Sequence, residues 1–118
     1  MRVLIVDDSV AFRAVLRSTL EDEGFTSIDE AANGRDALQR LAADPPDVVL
    51  VDLQMPVLDG LDLIPEIKRR APTTKIGVVT VAGMSLMADA FEVGGDAYFR
   101  KEEPLEYVVQ WLRGLDDR

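Results

Sequence analysis

A run of apolar residues ends abruptly at an aspartate in residues 48–60, which read VVLVDLQMPVLDG. The first four residues are uninterrupted and mainly β-branched, which is typical of a strand buried on both faces of a parallel sheet. The run stops at Asp52. The amino terminus repeats this arrangement, because the apolar run at 3–6 stops at Asp7 and Asp8. Since the carboxyl ends of parallel strands meet at one edge of a sheet, we expect these three carboxylates to share a pocket.

Such a pocket needs a positive charge. Two unit charges about 4 Å apart interact by roughly 4 kcal/mol at an effective dielectric near 20. A cluster of three carboxylates therefore requires a divalent metal, a lysine or a retained proton. The chain offers Lys101, which directly follows a strand-like run at 97–100.

Strand-like apolar runs alternate with amphipathic helical stretches along the whole chain, which is the pattern of βαβ units. The predicted strands are residues 3–6, 27–30, 47–51, 76–80 and 97–100. The predicted helices extend from Ser9 to Gly24, from Gly34 to Pro45, from Gly60 to Arg70, from Ser85 to Val93 and from Pro104 to Leu112. We therefore predict a single α/β domain over residues 1–118, built on a five-stranded parallel sheet.

The composition excludes several classes of site. The chain has neither cysteine nor histidine, so disulfides, thiolate or imidazole metal sites and a Ser-His-Asp triad are ruled out. A net charge of −9 disfavours direct binding to nucleic-acid phosphates or anionic lipids. No apolar run is long enough to span a bilayer. We expect a cytoplasmic protein that binds neither nucleic acid nor membrane.

Several residues at the ends of predicted strands occur together in the order of a known family. They are Asp7 with Asp8, Asp52 in the run VDLQMPVLDG, Thr80, Tyr98 and Lys101. This constellation, spread over the whole chain, resembles the response-regulator receiver domain of two-component signalling, the class to which chemotaxis regulators belong. The resemblance implies a flavodoxin-like fold with strand order 2-1-3-4-5 and helices on both faces of the sheet.

The resemblance also implies a chemical role for each acidic residue. Asp52 is expected to be the phosphoacceptor, a carboxylate nucleophile for a phosphohistidine or a small acyl phosphate. Asp7 and Asp8 are expected to hold Mg²⁺, directly or through water. A carboxylate oxygen of Asp52 and the backbone carbonyl of Gln54 complete the expected ligand set. Mg²⁺ suits this oxygen-only set because it prefers hard ligands and retains some of its waters.

Three further residues have roles implied by the resemblance. Lys101 and Thr80 are expected to contact oxygens of the phosphoryl group and offset the charge that develops there. Phosphorylation of Asp52 is expected to draw Thr80 toward the new charge and let Tyr98 turn inward. That change repacks the surface of the fourth helix, fifth strand and fifth helix, so the expected function is a switch and not an enzyme, apart from its own phosphorylation and dephosphorylation.

The implied partners are a sensor histidine kinase or phosphotransfer protein upstream, and a downstream protein or an appended output domain. A phosphorylation-dependent homodimer through the fourth helix, fifth strand and fifth helix is a further expectation. Trp111, with Met87 or Phe91, is predicted to lie on this surface, because the two helices carry more apolar residues than one buried stripe needs. The alternative is that the wide apolar stripe packs deeper into the core.

Other interpretations of the same residues remain open. The acidic pocket could belong to a Mg²⁺-dependent phosphohydrolase with an aspartyl-phosphate intermediate, although such enzymes usually have a second aspartate where Gln54 stands. It could also be idle in a scaffold that works unphosphorylated. Taken singly, Asp8 could be a helix cap, Thr80 a strand residue, Tyr98 a packing residue and Lys101 a solvated charge.

The sequence departs from the family pattern at two places. Val81 follows Thr80 where receivers usually have a small residue, which predicts narrower access to the acceptor. Glu102 and Glu103 follow Lys101 where many receivers have proline. These carboxylates either weaken the hold of the lysine on the phosphoryl group or point into solvent.

Overall fold

A computed structural model describes residues 1–81 and 83–116. In this part of the chain, five strands alternate with five helices. The elements are β1 (Arg2–Val6), α1 (Val10–Asp22), β2 (Ser27–Ala31), α2 (Gly34–Ala43), β3 (Val48–Val51), α3 (Gly60–Arg70), β4 (Lys75–Thr80), α4 (Met84–Glu92), β5 (Ala97–Arg100) and α5 (Glu106–Asp116). All strand pairs are parallel, in the order β2-β1-β3-β4-β5. The predicted fold class and strand order are confirmed.

The sheet is covered on both faces because alternate residues of its central strands point in opposite directions. Leu4 and Val6 of β1 face a core that contains buried residues of α2, α3 and α4. Val3 and Ile5 face a second core that contains buried residues of α1 and α5. An uninterrupted apolar run is therefore needed at residues 3–6 of β1 and throughout β3, since these positions are buried.

The register of the two central strands positions the functional edge of the sheet. Val6 of β1 lies opposite Val51 of β3, so Asp7 and Asp52 leave the sheet side by side. Two backbone hydrogen bonds extend the ladder past the strand ends. The amide of Asp52 donates to the carbonyl of Val6 at 3.0 Å, and that of Asp7 donates to Ala31 at 3.1 Å.

The helix ends show how the sequence prediction differs from the structure. The Ser9 side chain accepts a hydrogen bond from the amide of Phe12 and caps α1, so the cap is Ser9 and not Asp8, for which a cap role was left open. Pro104 was predicted in the first turn of the last helix. It lies in a turn ahead of α5, where its carbonyl accepts a hydrogen bond from the amide of Tyr107.

The predicted strands agree with the structure to within one residue at each end.

No helix in residues 1–81 and 83–116 combines the length and the apolar character that crossing a bilayer requires.

Candidate functional site

Three carboxylates meet at the carboxyl edge of the sheet, as the sequence predicts. Asp7, Asp8 and Asp52 each place one oxygen within 4.8 Å of the others. Asp7 and Asp52 are only 2% and 5% exposed, whereas Asp8 faces solvent. Burial of two acids beside a third is costly without cations or hydrogen bonds, so the surrounding donors decide what the cluster can do.

Short-range donors fix the two buried carboxylates. Oδ1 of Asp7 accepts a hydrogen bond from the amide of Ser9 at 2.9 Å. Oδ1 of Asp52 accepts from the amide of Gln54 at 3.2 Å and from Oγ1 of Thr80 at 2.6 Å. The Gln54 backbone therefore contacts Asp52 through its N–H group; the metal contact of its carbonyl stays a prediction.

Lys101 supplies the positive charge to the cluster. Its Nζ lies 2.8 Å from Oδ2 of Asp7 and 3.1 Å from Oδ2 of Asp52. Nζ also lies 4.4 Å from the centre of the Phe12 ring, a cation–π contact. Burial disfavours the charged form of Lys101 and so lowers its pKa. The hydrogen bonds to Asp7 and then Asp52 outweigh this effect, and the pKa of Lys101 is raised. The side chain is therefore a bound ammonium and not the solvated charge that it could be in isolation.

One lysine does not neutralise the cluster. Burial raises the pKa of Asp7, although the hydrogen bonds from Lys101 and Ser9 oppose this shift and the nearby Asp52 adds to it. Three carboxylates against one ammonium leave the site with excess negative charge when all are ionised. The atoms of the cluster that could bind a metal ion are carboxylate oxygens, the ligand type favoured by hard divalent cations.

Thr80 already contacts Asp52 in the structure. Its side chain is fully buried, and its hydrogen bond to Asp52 needs no phosphoryl group. The prediction that phosphorylation draws Thr80 toward the new charge therefore starts from a hydrogen bond that already exists, and the movement itself stays a prediction. The backbone amide of Lys101 donates to the carbonyl of Thr80 at 2.9 Å, so these two residues are also joined through their main chains.

Tyr98 lies on the neighbouring strand β5, where it pairs in register with Val78. Its side chain is half-buried, and its hydroxyl donates a hydrogen bond to the carbonyl of Gly95 at 2.7 Å. The ring packs at a tilt against Phe91 of α4, with the centroids 6.1 Å apart. Tyr98 therefore connects β5 to α4; its movement as a switch stays a prediction.

Gly60 is a site residue that the sequence analysis missed. A Cβ at this position would lie 2.5 Å from the carbonyl oxygen of Asp52 and 2.7 Å from Cα of Leu53. Only glycine allows the start of α3 to approach the backbone of Asp52 and Leu53 so closely. The side chain of Asp59 caps the helix by accepting from the amide of Asp62. The available signal was a glycine at the start of a helix, where a better helix former is usual.

The two departures from the family pattern have structural outcomes. Glu102 forms an ion pair with Arg100 at 2.8 Å, and Glu103 accepts a hydrogen bond from the amide of Arg100. Arg100 thus engages both carboxylates, and Lys101 remains with the aspartates. Val81 is well exposed at the end of β4; its predicted effect on access stays a prediction.

Comparisons with known proteins agree with this geometry. A family profile described as the response regulator receiver domain matches residues 3–113. The response regulator MprA of Mycolicibacterium vanbaalenii is 35% identical over 98% of this chain, and the matched part is 50% of MprA. The chemotaxis protein CheY of Thermotoga maritima is also 35% identical, over 94% of this chain and 93% of its own length. The chain thus spans about half of one relative and nearly all of another.

Solved structures give the same result. A two-component response regulator from Clostridium difficile superposes with a TM-score of 0.93 and 25% identity, covering 100% of this chain and 97% of its own. A CheY-like receiver domain from Methanospirillum hungatei gives a TM-score of 0.90 and 26% identity, covering 98% of this chain and 93% of its own. With the acidic cluster at the carboxyl edge of a 2-1-3-4-5 sheet, the chain belongs to the receiver domains of two-component response regulators, a family of phosphoacceptor signalling switches.

Proposed function

We propose that this chain works as a Mg²⁺-dependent switch in which Asp52 accepts a phosphoryl group from a histidine kinase or a phosphotransfer protein. One observation carries the proposal. Among the described residues, Asp52 is the carboxylate that touches Lys101 and Thr80 and also belongs to the acidic cluster. A nucleophile in phosphoryl transfer needs this combination of a metal site and positive donors around the transferred group.

The transfer itself is a simple exchange of bonds. A carboxylate oxygen of Asp52 forms a bond to phosphorus while the bond from phosphorus to the donor breaks. The bonding electrons leave with the donor, on the imidazole nitrogen of a phosphohistidine or the carboxylate oxygen of an acyl phosphate. Charge accumulates on the three equatorial oxygens of the phosphoryl group, so the protein accelerates the step mainly by stabilising that charge.

The residues present fit Mg²⁺. Asp7, Asp8, one oxygen of Asp52 and the Gln54 carbonyl would hold it, because they offer oxygen ligands in a partly open, negatively charged cup. The ion supplies compensation for the charge of the phosphoryl oxygens. Lys101 offers its ammonium from within the same cluster, and Thr80 offers its hydroxyl at the other oxygen of Asp52.

The switch follows from the contacts of Thr80. Its hydroxyl is committed to Oδ1 of Asp52, and a phosphoryl group on Asp52 presents new oxygens as competing acceptors. We propose that Thr80 changes partner and that the change passes to β5 through its backbone bond to Lys101. Tyr98, on the same strand and against Phe91, then repacks the face made by α4, β5 and α5.

The face made by α4, β5 and α5 carries exposed apolar side chains suited to a partner. Met84 is 74% exposed and Phe91 is 69% exposed, and both line an open apolar depression with Met87 and Tyr98. Trp111 is half-buried, its indole lies over Gly77 and packs at 5.8 Å against Phe99, and its place on the docking surface stays a prediction. Phe91 is the more exposed side chain and is therefore the docking residue to test first.

Replacing Phe91 with serine is expected to weaken phosphorylation-dependent self-association by about tenfold or more, since a large exposed aromatic is a typical interface anchor. Labelling of Asp52 is expected to stay unchanged. Sedimentation velocity of wild type and Phe91→Ser, each with and without the phosphoryl group, measures the effect. Val15→Ser is the control, because Val15 is also an exposed apolar residue but lies on α1. Equal association of Phe91→Ser and wild type in both states would place the docking surface elsewhere.

The proposed function is tested by incubating the purified chain with a small acyl phosphate, with and without Mg²⁺. Intact-mass analysis is expected to detect one phosphoryl adduct that depends on Mg²⁺ and persists after the donor is removed. A phosphohydrolase would instead release phosphate continuously with little adduct, and an idle scaffold would form no adduct. Either result contradicts the proposal.

A further inference from the structure

Arg13 of α1 makes a contact that the proposed chemistry does not use. Its Nη1 donates a hydrogen bond to the backbone carbonyl of Asp7, and its Nε donates to Oε1 of Glu30 at 3.0 Å. The side chain is only 13% exposed. Arginine can bind two acceptors at once because its guanidinium is planar and carries donors in a fixed fork.

The carbonyl of Asp7 belongs to the peptide group that joins Asp7 to Asp8. A peptide group is planar, so holding its oxygen fixes the orientation of the link between the two residues. The amide of Asp7 is held as well, by the carbonyl of Ala31 at 3.1 Å. Ala31 directly follows Glu30 in β2. The end of β2 therefore binds the Asp7 amide directly through Ala31, and it binds the Asp7 carbonyl indirectly, because Glu30 holds Arg13.

Glu30 keeps Arg13 in place. Its other carboxylate oxygen accepts a hydrogen bond from Nη1 of Arg17 at 2.9 Å. The hydrogen bond from Arg17, joined by that from Arg13, lowers the pKa of Glu30 although partial burial opposes the shift. Glu30 is thus a charged anchor between two arginines one helical turn apart, and only Arg13 reaches on to Asp7.

Asp8 depends most on this arrangement. It is exposed, and repulsion from Asp7 and Asp52 favours rotation of its carboxylate away from the cluster. Mg²⁺ requires near-octahedral placement of its ligands. A carboxylate that samples several orientations therefore lowers the affinity of the cluster for Mg²⁺. A fixed Asp7–Asp8 peptide limits the directions in which the Asp8 side chain can leave the backbone.

We propose that Arg13, anchored by Glu30, is a positioning residue that fixes the Asp7–Asp8 peptide so that both carboxylates converge on one divalent cation. The inference rests on the proposed function for the identity of the ion, Mg²⁺. Arg13 touches neither the phosphoryl group nor the ion in this role. It sets the affinity of the cluster for the cation by holding a carbonyl one peptide away from the ligand atoms.

The test is a Mg²⁺ titration by calorimetry on wild type, Arg13→Met and Arg17→Met. The two arginines share the same helix and the same partner, but only Arg13 contacts Asp7. Arg13→Met is expected to weaken Mg²⁺ binding by about tenfold or more, the usual effect of removing a group that orients metal ligands. Arg17→Met is expected to bind Mg²⁺ nearly as wild type. Equal weakening in both variants, or none in Arg13→Met, overturns the proposal.

A second readout separates positioning from general destabilisation. In the labelling reaction with an acyl phosphate, Arg13→Met is expected to need more Mg²⁺ for half-maximal rate and to approach the wild-type rate at saturating Mg²⁺. A lower rate with an unchanged Mg²⁺ requirement contradicts the proposal. If Arg13→Met does not fold, Arg13→Lys replaces it, because one ammonium cannot reproduce the fork; unchanged Mg²⁺ affinity in that variant overturns the proposal. Failure of wild type to form an adduct refutes only the proposed function, since the Mg²⁺ titration stands alone.

Discussion

Asp52→Asn is expected to abolish the phosphoryl adduct that wild type forms with a small acyl phosphate and Mg²⁺. The amide oxygen of asparagine has the shape of a carboxylate oxygen but lacks the charge that makes it a nucleophile. The fold is expected to survive, because the change keeps an acceptor for Thr80 and Gln54 and removes a buried charge beside Asp7. Intact-mass analysis of both proteins under the same conditions measures the effect.

The control for this variant is Asp62→Asn, which makes the same chemical change on the exposed face of α3. It is expected to label as wild type. An undiminished adduct in Asp52→Asn would mean that another carboxylate accepts the phosphoryl group. Loss of labelling in Asp62→Asn would show that the assay responds to surface charge and not to the acceptor.

Lys101→Met is expected to lower the labelling rate by about a hundredfold or more, the usual cost of removing one donor that stabilises charge in a transition state. The ammonium bridges Asp7 and Asp52, so its loss also leaves two buried carboxylates facing each other. The free energy of unfolding without Mg²⁺ is therefore expected to fall, and Mg²⁺ is expected to restore part of it. Rapid-quench labelling and chemical denaturation with and without Mg²⁺ measure the two effects.

Lys68→Met is the matched control, since Lys68 forms a similar ion pair outside the acidic cluster. Its Nζ lies 2.9 Å from Oδ2 of Asp96. It is expected to change stability slightly and independently of Mg²⁺, and to leave the labelling rate unchanged. If Lys101→Met labels as fast as wild type, the lysine serves only to hold the two aspartates together.

The fold and the acidic cluster could be predicted because both follow from patterns along the chain. An apolar run without a polar position, as at 48–51, fits only a strand covered on both faces, and two such strands in parallel bring Asp7 and Asp52 to one edge. Lys101 was found for the same reason, because it too directly follows a strand. The strand order itself came from the family resemblance, since periodicity alone does not determine which strands are neighbours.

Contacts that depend on side-chain reach could not be read from the sequence. The hydrogen bond from Thr80 to unmodified Asp52 depends on a separation that the strand register alone does not fix. The close approach of Gly60 and the position of Trp111 over Gly77 depend on how a helix sits on the sheet. The contact of Arg13 has no sequence signal, because its acceptor is the backbone carbonyl of Asp7, which every residue type possesses.

The central claim is that Asp52 carries the phosphoryl group, and chemical trapping tests it most directly. Borohydride reduces an aspartyl phosphate to homoserine, so labelled protein can be reduced, digested and mapped by tandem mass spectrometry. The expected result is homoserine at position 52 in labelled wild type, with none in protein treated without donor. Homoserine at position 7 or 8, or a stable adduct that leaves no homoserine after reduction, would contradict the assignment of Asp52 as the phosphoacceptor.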